Sequence, residues 1–467
     1  MRHRFGHAQG ARVLLGLLLG LTAPMLQPAP VLAQAPVSLI ALFNHATGTN
    51  PEVGAARAGV RAAGHGVIDS YIGFGPRVTA TYDQQRERQN VMATQNPVYQ
   101  TGKAYFGNQI GYGEAVQPVF DYRLFAQLKG AQAGERRESY LATAAEQKVI
   151  YSLVEAYLLA LSANDSYALS QVEAKNLQSH QGEIKEKIKS GLANEGDLDE
   201  VEARYGLARA RMIQAAAAVS EAFAAIERIA GIAAPALMPL KGAIPVPRPD
   251  PARPEDWVIA VLQGNPELLA ANETITVARA DFDKAIGGHL PRADLRATYN
   301  RSNTGGSLYG GGSNTDDMLL TLRVTVPIFN SQGQGLQFLQ AKERERQAQL
   351  NWDVRRRELV QKTQTTYLEV VSNSERVKIL SSAAAAQEKV AAGRRTKFQT
   401  GLTNITDVLD AEAASYRAKR EYLAARYNYL LTMMQLKELA GAISPTDIGF
   451  IDSLLDPRQR PVRRIAL

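Results

Sequence analysis

Two carboxylates three residues apart, Asp407 and Asp410, open the segment "TGLTNITDVLDAEAASYRAKREYLAARYNYLL" at residues 400–431. On a helix that spacing puts both on one face. Acids in a first turn also complement the helix dipole, so capping is one reading of the pair and a charged lining is the other. Other chemistry is sparse. Histidines stand at 3, 7, 45, 65, 180 and 289, in no metal-ligand spacing such as HExxH. The glycine-rich "TGGSLYGGGSN" at 304–314 lacks the Lys and Ser/Thr of a phosphate loop and fits a loop between strands. There is no GxSxG and, with no cysteine in the chain, no thiol nucleophile. These absences disfavour an enzyme, and no cofactor or metal is expected.

The elements that position the acids repeat. "GLANEGDLDEVEARYGLARARM…ERIAG" (191–231) aligns without a gap to "GLTNITDVLDAEAASYRAKREY…KELAG" (401–441), an offset of 401 − 191 = 210. Gly191/Gly401, Asn194/Asn404, Asp197/Asp407 and Glu202/Glu412 are among the identities. Upstream, "QPVFDYR" at Gln117 answers "VPIFNSQ" at Val326, and "NPEVGAARAGV" at Asn50 answers "NPELLAANETI" at Asn265. "PRVTATY" at Pro76 likewise answers "PRADLRATY" at Pro291. Each unit therefore runs NPE helix, strand, strand, long helix, glycine turn, second helix.

The expected boundaries are a signal segment at 1–33 and a first repeat at 34–231, with a strand pair about 76–120 and a helical hairpin about 128–231. A linker with seven prolines covers 232–254. The second repeat covers 255–441, with a strand pair about 291–329 and a hairpin about 337–441, before a C-terminal segment at 442–467. Within that last segment the basic "DPRQRPVRRIAL" at 456–467 reads as disordered.

From Gln340 to Lys397 no proline interrupts the helical pattern, a span of roughly 85–90 Å. Such length suggests a coiled coil or a helical barrel. Ala215–Ala218 and Ala383–Ala386 suit close helix approach, or merely strong helix propensity. In "LLTLRVTVPIF", Leu320, Leu322, Val324 and Val326 share one face and Thr321, Arg323 and Thr325 the other. "RADLRATYN" alternates in the same way. One apolar and one polar face at period two fits a barrel strand in a membrane, and equally a half-buried soluble sheet. The register of "QIGYGEAVQPVF" is ambiguous, because Glu114 shares a face with Ile110 and Tyr112.

The N-terminus "MRHRFGHAQGARVLLGLLLGLTAPMLQPAPVLAQA" has a basic start, an apolar run and small residues before a cleavage position after Ala33, the pattern of a secretory signal. Loss of Arg2, Arg4 and Arg12 lowers the net charge of +7 by three, which makes no case for nucleic acid. An exported chain without cysteine has no disulfides and no lipoprotein anchor, so stability must come from packing or assembly. No later segment is apolar enough for a membrane helix, so any membrane crossing must be made by strands. Four strands per chain are too few to close a barrel. Three chains would supply twelve strands and, with four helical segments each, a twelve-helix ring.

At this point the residues resemble a known family. The second glycine-turn hairpin with "QLKELAG" and "PTDI", its counterpart "GLANEGDLDEVEARYGLARA", the "PVFD"/"PIFN" strand ends and the "NPE" helices resemble the TolC family over about residues 38–450. The "WDLFG" segment common in the multidrug branch is absent, which points to the branch paired with type I secretion. The resemblance implies mixed α and β structure, mainly long α-helices. It implies a homotrimeric channel-tunnel with a 12-stranded barrel in outer-membrane lipid over a 12-helix periplasmic barrel. It also implies a passive duct served by a periplasmic membrane-fusion adaptor and an inner-membrane ABC transporter or proton-driven pump. Asp407, Asp410 and Asp197 match the family's entrance aspartates. Gly191, Leu192, Gly401 and Leu402 match its adaptor-contacting turns. The family's closing Tyr and Arg fall on Phe398 and Thr403, and a Thr on Gly196, so its latch does not carry over. Arg394, Arg395 or Lys397 are the candidates to replace it. A multidrug efflux duct, a periplasmic coiled-coil adaptor and a secreted enzyme on a helical scaffold are the competing readings.

Overall fold

The structure is a computed structural model describing residues 36–465 apart from 96, 99–100, 309 and 329–333, with backbone alone at 334 and 335. The signal segment lies outside the described residues. The elements in chain order are α1 (Leu39–Thr49), α2 (Pro51–Ile72), β1 (Arg77–Val91), β2 (Gly102–Phe120), α3 (Tyr122–Lys189), α4 (Glu195–Ala230), β3 (Ala236–Leu237) and α5 (Pro254–Gly264). There follow α6 (Pro266–Gly287), β4 (Arg292–Thr304), β5 (Ser313–Thr325), α7 (Gln334–Gln399), α8 (Ile405–Leu439), α9 (Pro445–Ser453) and β6 (Val462–Arg463).

The two copies of the repeat appear as two long hairpins. α3 has 68 residues and α7 has 66, each about 100 Å long. Both begin a few residues earlier than the sequence pattern alone suggests. Beside the far part of α3 runs α4, and beside its near part runs α2; α8 and α6 flank α7 in the same way.

The joint between the short helices explains the NPE motif. Asn50 Nδ2 donates to the carbonyl of Ile229 at the end of α4 (3.0 Å), while its Oδ1 accepts from the N–H of Glu52 at the start of α2 (2.9 Å). Asn265 repeats this, donating to Leu439 O at the end of α8 (3.0 Å) and accepting from Leu268 N in α6 (3.0 Å). One buried side chain thus satisfies orphan groups of two helix ends at once. Proline at the first helical position needs no N–H partner, and the Glu suits the positive end of the dipole. Close approach at the second joint requires glycine: a Cβ on Gly441 would lie 2.1 Å from the Gly264 carbonyl oxygen, and Gly441 itself sits at φ 66°.

β1, β2, β4 and β5 form one antiparallel sheet, in the order β1-β2-β4-β5. Its register resolves the ambiguous strand. Glu114 pairs with Thr79 and Thr298, and Tyr112 with Thr81 and Asn300, so these β2 residues lie on the polar face. A side-chain ion pair between Glu114 and Arg296 lies on that face. Gly111, Gly113 and Ala115 take the apolar face, opposite Tyr82, Ala80 and Val78. The signal was weak because the outward residues of β2 are small and the inward ones include Ile110 and Tyr112.

A main core sits at mid-length, where α1, α5 and α9 pack on the long helices. The proline-rich linker is irregular but tied down. Tyr157 accepts from Met238 N (2.9 Å), Tyr429 donates to Pro247 O (2.8 Å) and Trp257 Nε1 donates to Pro251 O (2.8 Å). The expectation that 456–467 is disordered is corrected for its described residues. Asp456 N donates to Pro239 O (2.9 Å), β6 pairs with β3 and Val462 is buried, continuing a segment in which Ile448, Ile451, Leu454 and Leu455 are buried and Asp452 Oδ1 accepts from Leu39 N (2.9 Å). Its apolar residues find partners 200 to 400 positions away, which no local pattern reveals.

Asn265→Ala should destabilise the folded chain by about 2 kcal/mol, since it removes a cap and leaves a buried carbonyl unpaired. Asn265→Asp, which keeps the acceptor and loses the donor, should fall between. Thermal unfolding in detergent checks the order, and an Asp variant as unstable as Ala would contradict the two-ended cap.

Candidate functional site at the hairpin tips

Both long hairpins turn through the same motif. At the first, Leu192 N donates to Lys187 O (2.8 Å) and Gly191 N to Ile188 O (3.0 Å), with Gly191 at φ 71°. At the second, Leu402 N donates to Lys397 O (2.8 Å) and Gly401 N to Phe398 O (3.1 Å), with Gly401 at φ 75°. This is the Schellman closure, in which the residue after the glycine commonly packs back on the helix. Here it does not: Leu192 and Leu402 are each 77% exposed. Two apolar side chains are held outward by rigid turns.

The three aspartates separate in role. Asp197 closes a capping box: its N–H donates to Asn194 Oδ1 (2.9 Å) and its Oδ2 accepts from Asn194 N (3.1 Å). Gly196 lies inside that box, and a Cβ there would come 3.1 Å from Asn194 Oδ1. Asp407 has the same position in its helix, with its N–H on Asn404 Oδ1 (2.8 Å), but its carboxylate takes the hydroxyl of Thr403 instead. Arg394 stands 4.0 Å from that carboxylate. Asp410, with its side chain 68% exposed, accepts from Arg204 Nη2 at 2.8 Å. Arg204 lies on α4, so this pair ties the first hairpin to the second. Thr406 Oγ1, donating to Glu200 Oε2 at 2.6 Å, is a second tie between the same helices.

Phe398 is buried in a small apolar cluster between the hairpins, with the Lys187 ammonium 3.6 Å from its ring centroid. An aromatic that cannot donate a hydrogen bond is thus held by burial and a cation–π contact. Of the three candidate replacements for the latch, Arg394 approaches Asp407. Arg395 turns to Glu412, and no ion pair of Lys397 occurs among the described residues.

Sequence reasoning missed the charges behind the tips. Glu412, its side chain 6% exposed, accepts from Arg395 Nε (3.0 Å) and lies 3.1 Å from His180 Nε2 on α3. Burial acts to raise its pKa. The hydrogen bonds and charges of His180 and Arg395 outweigh that and hold the carboxyl below its usual range. Further along, Glu173 is held between Arg211 and Arg420, each at 2.8 Å. Tyr416 meets Asn176, and Tyr427 donates to Asp165 Oδ2 at 2.7 Å. The identity of Glu202 and Glu412 between repeats was the available signal; that Glu412 alone is covered by a partner helix was not. No cluster of three or more metal-ligating residues occurs among the described residues.

The chain has clear relatives. The alkaline protease secretion protein AprF of Pseudomonas aeruginosa is 24% identical over 398 residues, covering 83% of this chain and 81% of its own. The outer membrane protein TolC of Vibrio cholerae is 21% identical, covering 88% of this chain and 92% of its own. Among solved structures, the CmeC outer membrane channel of Campylobacter jejuni superposes with a TM-score of 0.75 at 15% identity, covering 90% of each chain, so it shares the fold. The sequence profile described as outer membrane efflux protein matches residues 42–232 and 257–442, one stretch per repeat. With both hairpins, both strand pairs and both NPE joints inside those stretches, the chain belongs to the outer membrane efflux protein family.

Proposed function

We propose that three copies of this chain close into one passive duct, with the hairpin tips as its periplasmic mouth. The chain is an outer-membrane export channel whose helices extend into the periplasm. The observation that carries the trimer is the sheet: its edge strands β1 and β5 have no partner outside the sheet among the described residues, while its outward face is apolar. Open edges are not tolerated in lipid, so further copies must supply the missing pairing. Three copies give a twelve-stranded barrel, within the size range of such barrels.

The repeat supports the same assembly. α3 ends at Lys189 and α7 at Gln399, the same 210-residue offset. Shifting the packing of α8 on α3 by that offset predicts how α4 packs on α7 of the next copy. Tyr416 against Asn176 becomes Gly206 against Ala386, and Arg420 against Glu173 becomes Ala210 against Ala383. Gly206, Ala210 and Ala386 are exposed in the single chain, as this pairing requires. The seam inside one copy is ionic; at these two positions the seam between copies is made of small residues that allow close approach, while the Glu412–His180 contact becomes Glu202 against Val390.

In this duct the exposed Leu192 and Leu402 turns are the contact for a periplasmic adaptor, which couples the channel to an inner-membrane ABC transporter or proton-driven pump. The names of the relatives favour polypeptide cargo: AprF is named for alkaline protease secretion. Asp407 and Asp410, repeated threefold, line the mouth and favour cations, tempered by Arg394 and Arg204. Asp197 contributes less, because its carboxylate is committed to its cap.

Two measurements test this reading. The chain has no cysteine, so Gly206→Cys combined with Ala386→Cys should yield covalent trimers on oxidation, and neither single variant should. Absence of cross-linked species from a folded double variant would reject the seam. In a bilayer under a salt gradient, Asp407→Ala/Asp410→Ala should lose cation preference and Arg204→Ala should strengthen it. An unchanged reversal potential in both would remove the charged mouth.

A further inference from the structure

The two edges of the four-stranded sheet come from different repeats, β1 from the first and β5 from the second. The repeat predicts how they meet. β1 corresponds to β4 at an offset of 292 − 77 = 215, and β2 to β5 at 325 − 116 = 209. Applied to the β1–β2 hairpin, these offsets turn Arg77 opposite Val116 into Arg292 opposite Thr325, and Gln89 opposite Ala104 into Thr304 opposite Ser313. Both pairs are observed, so the correspondence holds without a slip along the hairpin.

The β2–β4 pairing then has its own counterpart, β5 against β1 of the next copy. Glu114 opposite Thr298 becomes Arg323 opposite Asp83, and Tyr112 opposite Asn300 becomes Thr321 opposite Gln85. Ala115 opposite Ala297 becomes Val324 opposite Tyr82 on the outward face. The faces agree. Arg323 alternates to the polar face with Thr321, and Asp83 with Thr81; with the apolar face against lipid, that polar face lines the lumen. Both side chains belong to exposed residues, and among the described residues neither forms an ion pair. No like charges stand opposite each other along this pairing of β5 with β1.

An edge such as β1 needs a marker of register. A hydrophobic pattern sets register where one face is buried, and sets it loosely where both faces are polar. From Asp83 to Asn90, β1 reads "DQQRERQN", polar on both faces. A two-residue slip that moves Arg323 opposite Thr81 also sets Asp317 opposite Glu87, a like-charge pair. The slip in the other direction sets Arg323 opposite Gln85. Of the three registers, the one given by the repeat matches Arg323 to an acid.

The two kinds of junction also have opposite polarity. Within the chain, an acid on β2, Glu114, pairs with a base on β4, Arg296. Between copies, a base on β5 meets an acid on β1. A β5 strand docked on β4 in place of β2 would put Arg323 at the position of Glu114, beside Arg296. Charge thus favours the right neighbour and penalises the wrong one.

We propose that Arg323 of each copy pairs with Asp83 of the next on the lumen side, and that this pair sets the register in which the barrel closes. The proposal rests on the trimer reading and names the contact that specifies its strand seam.

The test uses full-length protein in detergent. Arg323→Cys combined with Asp83→Cys should give covalent trimers on oxidation. Leu319→Cys with Asp83→Cys, four residues out of register, should not. Arg323→Asp and Asp83→Arg should each weaken refolding to the trimer by roughly fivefold per seam, about a hundredfold over three seams, and the two together should restore it. The Gly206→Cys/Ala386→Cys cross-link reports the helical seam independently. Helical cross-linking without the Arg323→Cys/Asp83→Cys cross-link, or a double charge swap no better than the single variants, would overturn the register and leave the trimer standing. Loss of the helical cross-link as well would overturn the trimer and this proposal with it.

Discussion

A single amide side chain, used twice, sets the architecture. Asn50 and Asn265 each end one helix and begin another while pairing a terminal carbonyl of a third, so α4 is tied to α2 and α8 to α6. Without that device the broken helices would expose several unpaired carbonyls and N–H groups in a buried joint. With it, a short helix and a hairpin arm act as one rod against the unbroken α3 or α7. The strand sheet at one end and the tips at the other are thereby held about 100 Å apart on a common frame. The core at mid-length lies beside these joints, and the linker and C-terminal segment wrap there through tyrosine and tryptophan hydrogen bonds.

Much of this was legible in the sequence, because the duplication doubles each signal. The 210-residue offset located both hairpins, and the paired NPE motifs marked both joints before their cap geometry was known. Two kinds of information were not local. The burial of Val462 and the pairing of β6 depend on β3, far away in the chain, so the basic 456–467 looked unstructured. The register of β2 depends on its neighbours, since glycines and an alanine carry its outward face. Cross-strand pairing, and the Glu114–Arg296 ion pair with it, decides what alternation left open.

The aspartates show the same division. Spacing placed Asp407 and Asp410 at the start of one helix, and of the two alternatives for them the structure shows capping at Asp407. Asp197 is a cap, Asp407 caps through its backbone and offers its carboxylate elsewhere, and Asp410 reaches Arg204 on the other hairpin. Only the fold could reveal that Arg204 and Lys187 stand beside positions 410 and 398. Phe398, which removes a hydrogen-bond donor, is compensated by burial under a lysine rather than by another polar link.

The contrast between the two seams has a mechanical consequence. Parting the hairpins of one chain would take His180 from Glu412 and Arg420 from Glu173, leaving each buried carboxylate with only the arginine of its own hairpin. Parting glycine and alanine from alanine breaks no charge pair and frees little side-chain entropy. In the proposed trimer each copy would therefore move near its tip as a clasped pair of blades, with the alanine seams as the slip planes between copies.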